Sequence, residues 1–244
     1  MKNLPVSMQT FSDLMTQNYL YVDKTKEIYN LLSRGGKYYF LSRPRRFGKT
    51  LLVSTLKEIF SGNKELFKGL WIYDKIQWEV FPVIHIDFLG LKYETQTELL
   101  ETLEYLIQQN AAKHSIELKE KGYDKRFKEL IAKTARKNKA VILVDEYDKP
   151  IIDFIETEEK EIALANRKVL KKFYSVLKSA DEYIRFVFIT GVSKFSRVSI
   201  FSDLNNLYDI TIDDHFSMLL GLTHEELLKY FDDRIDSLSQ KMKM

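Results

Sequence analysis

The segment FLSRPRRFGKT, Phe40 to Thr50, carries the residues best suited to chemistry in this chain. Its last three residues, Gly48, Lys49 and Thr50, match the end of a phosphate-binding loop of the form G-x-x-x-x-G-K-[S/T]. Glycine lets backbone N–H groups approach phosphate oxygens, the lysine would reach the β- and γ-phosphates, and the threonine hydroxyl would ligate Mg²⁺. The first glycine of the motif is missing, because Arg43 stands at its position. The segment predicts a phosphate site with an altered beginning.

A second candidate lies in VILVDEYDKP, where four apolar residues lead into Asp145 and Glu146. Asp145 would hold Mg²⁺ directly or through a water molecule, and Glu146 would orient and deprotonate an attacking water. The alternative is a helix N-cap or a surface ion pair, which is the commoner fate of a lone Asp-Glu pair. Asp148 and Lys149 follow closely, and their spacing assigns them no role.

Polar residues also end two further apolar runs. Thr190, at the end of FVFIT, is a candidate sensor of the γ-phosphate, and a threonine that simply ends a strand before a glycine turn is the alternative. Asp87, at the end of PVIHID, could touch Mg²⁺ or the attacking water. His85 alternates with apolar neighbours, which favours a histidine packed against the sheet over a metal ligand.

These candidates need a fold that brings strand ends together. Short apolar runs alternate with segments of helical periodicity, such as the stripe of Leu52, Leu56, Ile59 and Phe60. This alternation predicts an α/β fold, with a doubly wound, mainly parallel sheet and helices on both faces. Ligands of such sheets bind beyond the carboxyl ends of the strands. The predicted strands are 37–42, 82–88, 140–146, 184–191 and 207–212.

Composition excludes several function classes. The chain has 244 residues, a net charge of +3 and no cysteine, so total charge gives no argument for nucleic-acid binding, and thiolate or cysteine–zinc chemistry is impossible. Neither a secretory signal nor an apolar run long enough to span a membrane is visible, which predicts a soluble cytoplasmic protein. The basic stretch 113–139 could form a phosphate-binding face, but solvated helices or loops are the simpler interpretation.

Taken together, the motifs resemble the AAA-ATPase-like family of bacterial and archaeal P-loop proteins. The family's own loop resembles R-P-R-R-F-G-K-[S/T], so Arg43 conforms to it. The resemblance implies a P-loop NTPase fold with ATP and Mg²⁺ as cofactors. It extends the nucleotide-binding set to Arg43, Pro44, Arg45, Arg46, Phe47, Gly48, Lys49, Thr50 and Thr190, with Thr50 and Asp145 at the metal. The segments that carry it are YLYVDKT (19–25), YYFLSRPRRFGKT (38–50), VDEYDKP (144–150), ITGVSKFSRVSIFSDLNNLYDIT (189–211) and LGLTHEEL (220–227).

The resemblance also implies a domain organisation. Longer members look like an ATPase module followed by a nuclease-like domain of the PD-(D/E)xK type. We therefore expect an ATPase domain over 1–220, including the N-terminal segment near the nucleotide, and the start of a truncated helical lid over 221–244. A nuclease-like domain or another protein partner would lie outside this chain, and nucleic acid is not expected to bind this module alone. Arg197 is the candidate arginine finger, and a structural salt bridge is its alternative.

Two functions stay open from the sequence. One is an Mg²⁺-dependent ATPase with slow or conditional hydrolysis, in which Lys49 and Glu146 are the catalytic residues. The other is a non-hydrolysing nucleotide-binding switch that holds a conformation for a partner or a nuclease-like domain. A nucleic-acid-binding protein that uses the basic stretch 113–139 is a third and weaker reading. The sequence predicts no oligomeric state.

Overall fold

The computed structural model describes residues 2–155, 159–194 and 200–242. They contain one five-stranded sheet in the order β2-β3-β4-β1-β5, and every strand pair in it is parallel. The α/β prediction is confirmed, and four of the five predicted strands lie within one residue of the observed ends. The strands are β1 (Tyr38–Ser42), β2 (Val83–Asp87), β3 (Ala140–Asp145), β4 (Ile184–Gly191) and β5 (Tyr208–Asp209).

Helices connect these strands. In the described part of the chain they are α1 (Phe11–Thr16), α2 (Thr25–Ser33), α3 (Lys49–Phe60), α4 (Gln96–Lys113), α5 (Tyr123–Thr134), α6 (Lys149–Ile155), α7 (Lys160–Ser179) and α8 (His224–Met242). The predicted stripe on α3 is buried. Within these same ranges, each helix is too short or too polar to cross a lipid bilayer.

Both faces of the sheet are covered, because successive strand residues point to opposite sides. In β3, Ile142 and Val144 join a core that includes residues of α4, α5 and α7. Val141 and Leu143, which alternate with them, join a second core that includes residues of α1, α2 and α3. A strand buried on both faces explains why β3 is a continuous apolar run.

The last strand is shorter than predicted. The sequence suggested 207–212, whereas β5 contains only Tyr208 and Asp209. The Asp209 carboxylate accepts the N–H of Thr211 at 2.9 Å, which turns the chain directly after the strand. The Thr211 hydroxyl then accepts the N–H of Ser42 at 3.0 Å, so a side chain replaces the next backbone pairing with β1.

The carboxyl ends of four strands lie along one edge of the sheet. Asp87 of β2 is paired in register with Asp145 of β3, and Ser42 of β1 is paired with Gly191 of β4. β4 lies between β1 and β3, so the loop after β1 and the turn after β3 flank the end of β4. This edge holds the strand-end candidates from the sequence.

The helix α8 packs against the N-terminal segment. Thr223 and Glu226 form reciprocal bonds at its start: each backbone N–H is accepted by the other residue's side-chain oxygen, at 2.9 and 3.1 Å. The Glu226 carboxylate also pairs with the Lys24 ammonium at 2.6 Å. Further along, the Tyr230 hydroxyl accepts the N–H of Asp23 at 3.3 Å. These contacts join two segments that are distant in sequence; the division into a domain over 1–220 and a lid over 221–244 stays a prediction.

Candidate nucleotide site

The loop after β1 turns sharply into α3. Gly48 is the N-cap of α3 and has φ +90°, in the left-handed region that glycine adopts without a Cβ penalty. Arg46, two residues earlier, also has a positive φ, of +66°, which costs a non-glycine residue about 1–3 kcal/mol. The first N–H groups of α3 have no intrahelical acceptor and point toward the loop, together with the positive end of the helix dipole. This backbone is suited to an anion.

Lys49 lies inside this loop and not on its outer surface. The residue is 6% exposed, and its Nζ donates to the carbonyls of Arg43 and Pro44 at 2.9 and 3.0 Å. Burial lowers the pKa of the ammonium, and the negative charges of Asp145 and Glu146 oppose that shift. The lysine of the loop and the carboxylates after β3 therefore interact electrostatically across one site.

The end of β3 is tied to the end of β4. Asp145 is almost completely buried and accepts a hydrogen bond from the Thr190 hydroxyl. The N–H of Glu146 donates to the Asp145 carboxylate at 3.1 Å, and Glu146 has φ +52°. Thr190 itself is fully buried. The structure thus brings the three residues together and gives the Thr190 hydroxyl a carboxylate partner, a contact the sequence did not suggest.

The three arginines of the loop point to different places. The Arg43 guanidinium donates to the carbonyl of Ser42 at 3.2 Å and also to that of Thr211, beyond β5. Arg45 lies 3.5 Å from the Asp153 carboxylate of α6, and two thirds of its side chain is exposed. Arg46 faces the apolar cavity described below. In this conformation their charges are therefore spread around the loop.

Three other predicted residues are placed as follows. Thr50 is half-buried in the first turn of α3. Burial raises the pKa of Asp87 to about 6, with further contributions from the charges of Asp145 and Glu146, which places its carboxyl beside theirs. Burial, with Lys57 nearby, lowers the pKa of His85 to about 4, consistent with a neutral packed side chain. Arg197 lies outside the described residues.

Sequence reasoning missed the roles of Asp148 and Asp153. Asp148 is fully buried and accepts backbone N–H groups of the turn after β4. Asp153 accepts the Tyr93 hydroxyl at 2.7 Å and pairs with Lys149 at 3.0 Å, in addition to Arg45. In the sequence, only the density of acidic residues around DEYD (145–148) indicated a cluster of carboxylates, because most partners of Asp148 and Asp153 lie in segments that are remote along the chain.

An apolar cavity of about 470 Å³ opens beside the loop. The first two turns of α3 form one wall, and the N-terminal segment around Tyr21 and the chain around Leu220 form the others. Phe47 of the loop, about half exposed, lines its entrance next to Gly48. The cavity adjoins the backbone of the loop, because Arg46, Phe47 and Gly48 line it.

The residues present fit a magnesium ion carried by a phosphate. Among the described residues no group of three or more His, Asp or Glu side chains is arranged to hold a metal alone. Mg²⁺ in nucleotide sites needs only one or two protein ligands, since phosphates and water supply the rest. A threonine hydroxyl from α3 and a buried carboxylate from β3 are oxygen ligands of the required type.

Two comparisons with known proteins show the family of this chain. A family model described as "Predicted AAA-ATPase" matches residues 5–201. The "Uncharacterized protein in vnfD 5'region" of Azotobacter chroococcum mcd 1 is 41% identical over 243 residues, which is 98% of this chain. The chain spans 46% of the length of that relative. By the extent of the family match, the chain belongs to the predicted AAA-ATPase family.

Proposed function

We propose that the protein binds Mg²⁺–ATP at the edge of the sheet and hydrolyses it slowly or conditionally. The observation that carries this proposal is the burial of Lys49 inside its own loop, in electrostatic contact with Asp145 and Glu146. A buried ammonium beside the N-terminus of α3, bonded to two backbone carbonyls of the loop, is suited to the β- and γ-phosphates of a nucleotide, which supports this proposal. The family match supports an ATPase-like role in general terms.

Each residue of the site would have a distinct role in binding or hydrolysis. The N–H groups of Gly48, Lys49 and Thr50 would bind phosphate oxygens, and the ammonium would neutralise their charge. Thr50 and Asp145 would hold Mg²⁺, which polarises the phosphate when it is bound. Glu146 would orient the attacking water and accept its proton.

The apolar cavity is our candidate for the base. A purine is flat and mostly apolar on its faces, and cavities that bind small molecules are lined largely by hydrophobic and aromatic side chains. Leu51 and Leu52 of α3 and Phe47 of the loop provide such surface directly beside the phosphate-binding backbone. One nucleotide would then contact both the loop and the N-terminal segment, as the family resemblance predicted.

Glu146→Gln tests the catalytic part of the proposal. Glutamine keeps the size of the side chain and removes its basicity, so nucleotide binding should persist while hydrolysis stops. Isothermal titration measures binding, and release of inorganic phosphate measures hydrolysis. An exposed glutamate such as Glu101 provides the matched control, since Glu101→Gln should change neither quantity. Wild-type turnover in Glu146→Gln would show that another group deprotonates the water.

A non-hydrolysing switch is the second candidate, and one contact favours it. The ion pair between Lys24 and Glu226 joins a residue that lines the cavity to the first turn of α8. A base in the cavity could therefore change how α8 sits on the N-terminal segment, without any chemistry. Binding without phosphate release in the wild type would support the switch and exclude the ATPase. A cytoplasmic location stays a prediction from the sequence.

A further inference from the structure

Asp148 is fully buried, and its carboxylate bonds to the turn that follows β4. Its carbonyl accepts the N–H groups of Ile151 and Ile152, both at 2.9 Å, so the residue occupies the N-cap position of α6. An N-cap aspartate usually turns its side chain back onto its own helix. Here the carboxylate accepts the N–H groups of Val192, at 3.1 Å, and of Ser193. A buried charge is tolerated only when it is bonded in this way.

Tyr147 also bonds to this turn and to the end of β4, through its hydroxyl and its N–H. Its N–H donates to the carbonyl of Thr190 at 3.0 Å, and its hydroxyl donates to the carbonyl of Ser193 at 2.7 Å. The ring lies directly against Gly191, where a Cβ would come within 2.4 Å of a ring carbon and 2.6 Å of the Asp148 carboxylate. Tyr147, Asp148 and the turn 191–193 thus form one packed unit, which we call the clasp.

The clasp directly follows the candidate base, Glu146, along the chain. Glu146 has φ +52°, a conformation that costs a non-glycine residue about 1–3 kcal/mol and persists only where surrounding contacts impose it. On one side its N–H bonds to Asp145, and on the other side the N–H of Tyr147 bonds to Thr190. These two bonds fix the direction in which the Glu146 side chain leaves the sheet.

We propose that Tyr147 and Asp148 are positioning residues, which hold Glu146 and the Asp145–Thr190 pair in their catalytic arrangement through the clasp. The proposal rests on the nucleotide site proposed above and adds to it the residues that set its geometry. Both side chains are 0% exposed, so they act through neighbouring site residues, which for Asp148 include Lys49, and not by touching the nucleotide. A displacement of about 1 Å at a catalytic group can cost about 100-fold in rate, which is the scale that a loosened clasp should reach.

Tyr147→Phe and Asp148→Asn are the informative variants. The first keeps the ring against Gly191 and removes the hydroxyl that donates to Ser193. The second keeps the shape of the side chain and removes the charge that accepts two N–H groups. Tyr39→Phe is the matched control, because Tyr39 is a buried tyrosine in the core on the other face of the sheet, and its hydroxyl donates to the carbonyl of Leu31 at 3.3 Å. Hydrogen exchange at Val192 and Ser193 reports directly whether the clasp has opened.

We expect both variants to lower turnover far more than nucleotide binding. We expect kcat to fall about tenfold in Tyr147→Phe and about 100-fold in Asp148→Asn, with the nucleotide Kd measured without Mg²⁺ changed by less than about threefold. A merely structural residue would lower the melting temperature without this split between kcat and Kd.

A second measurement keeps the proposal testable if the wild type does not hydrolyse ATP, an outcome that would refute the proposed ATPase but not the clasp. The probe is a non-hydrolysable ATP analogue, titrated with and without Mg²⁺. Asp148→Asn should lose most of the gain in affinity that Mg²⁺ provides, while its metal-free affinity stays at the wild-type level. Faster exchange at Val192 and Ser193 with unchanged kcat and an unchanged Mg²⁺-dependent gain would overturn the proposal.

Discussion

Replacing Asp87 by asparagine should stabilise the protein at neutral pH. The pKa of this carboxyl rises to about 6, first because it is buried and then because Asp145 and Glu146 lie nearby, while the N–H of Leu89 opposes the shift. Between the unfolded pKa of 3.8 and about 6, the folded protein holds a proton that the unfolded chain has released. Ionised Asp87 therefore costs stability, and that cost is complete above about pH 6 and vanishes as the pH falls below the unfolded pKa.

The magnitude follows from that pKa. A difference of about two in pKa corresponds to about 3 kcal/mol. Solvent still reaches part of the Asp87 carboxyl, so we expect about half of that value, about 1.5 kcal/mol. For a chain of this size the melting temperature should rise by about 3–6 °C. Asparagine keeps a side-chain oxygen for the N–H of Leu89, which the carboxylate accepts at 2.9 Å.

Thermal unfolding of wild type and Asp87→Asn, in a chelating buffer that removes Mg²⁺, tests this expectation. The stabilisation should be largest at about pH 7.5 and about half as large at about pH 5, because only about half of the interval between the unfolded and folded pKa values lies below pH 5. Asp74→Asn, at an exposed aspartate, is the control and should give little change at either pH. Equal stabilisation at both pH values, or a larger one at pH 5, would refute the raised pKa of the buried Asp87 carboxyl.

Three further predictions concern stability and can be measured by urea unfolding. Gly191→Ala should lower the free energy of unfolding by about 1–3 kcal/mol, because the added Cβ would overlap the ring of Tyr147. Wild-type stability in this variant would contradict the close contact between Gly191 and the ring. Leu143→Ala should cost about 2–5 kcal/mol at a fully buried site on the α3 face, and a cost under 1 kcal/mol would contradict that burial. Glu226→Gln should lower the free energy of unfolding by about 1 kcal/mol, because it loses the charge that pairs with Lys24. Glu226→Ala should lower it by about 2 kcal/mol, because the capping box is lost as well. Equal losses in the two variants would mean that the cap contributes nothing.

The sheet was predictable because its strands are buried on both faces. A strand such as β3 must be apolar along its whole length, and that run is visible in one sequence. Parallel strands also align their carboxyl ends, so the proximity of Asp145 and Thr190 followed from the position of each at the end of a run. The shortness of β5 was not predictable, because it depends on where the side chains of Asp209 and Thr211 find partners.

The remaining details of the site depend on long-range contacts. The family resemblance placed the arginines of the loop in the nucleotide-binding set. Yet Arg43 donates to a carbonyl 168 residues away, and Arg45 lies near Asp153. The partners of Asp148 likewise come from the turn after β4. Spacing within a sequence carries no information about such acceptors, and for the same reason the apolar cavity, built from three remote segments, was not foreseen.

Titration of the wild type and Lys49→Ala with Mg²⁺–ATP tests the central claim most directly. Lys57→Ala, at a lysine further along α3, controls for the loss of a charge from the same helix. We predict saturable binding of one nucleotide per chain by the wild type and the control, and no binding by Lys49→Ala up to about 1 mM, a limit of about 4 kcal/mol in affinity. A folded wild type that ignores ATP at that concentration, or a Lys49→Ala variant that binds as tightly as the wild type, would contradict the account.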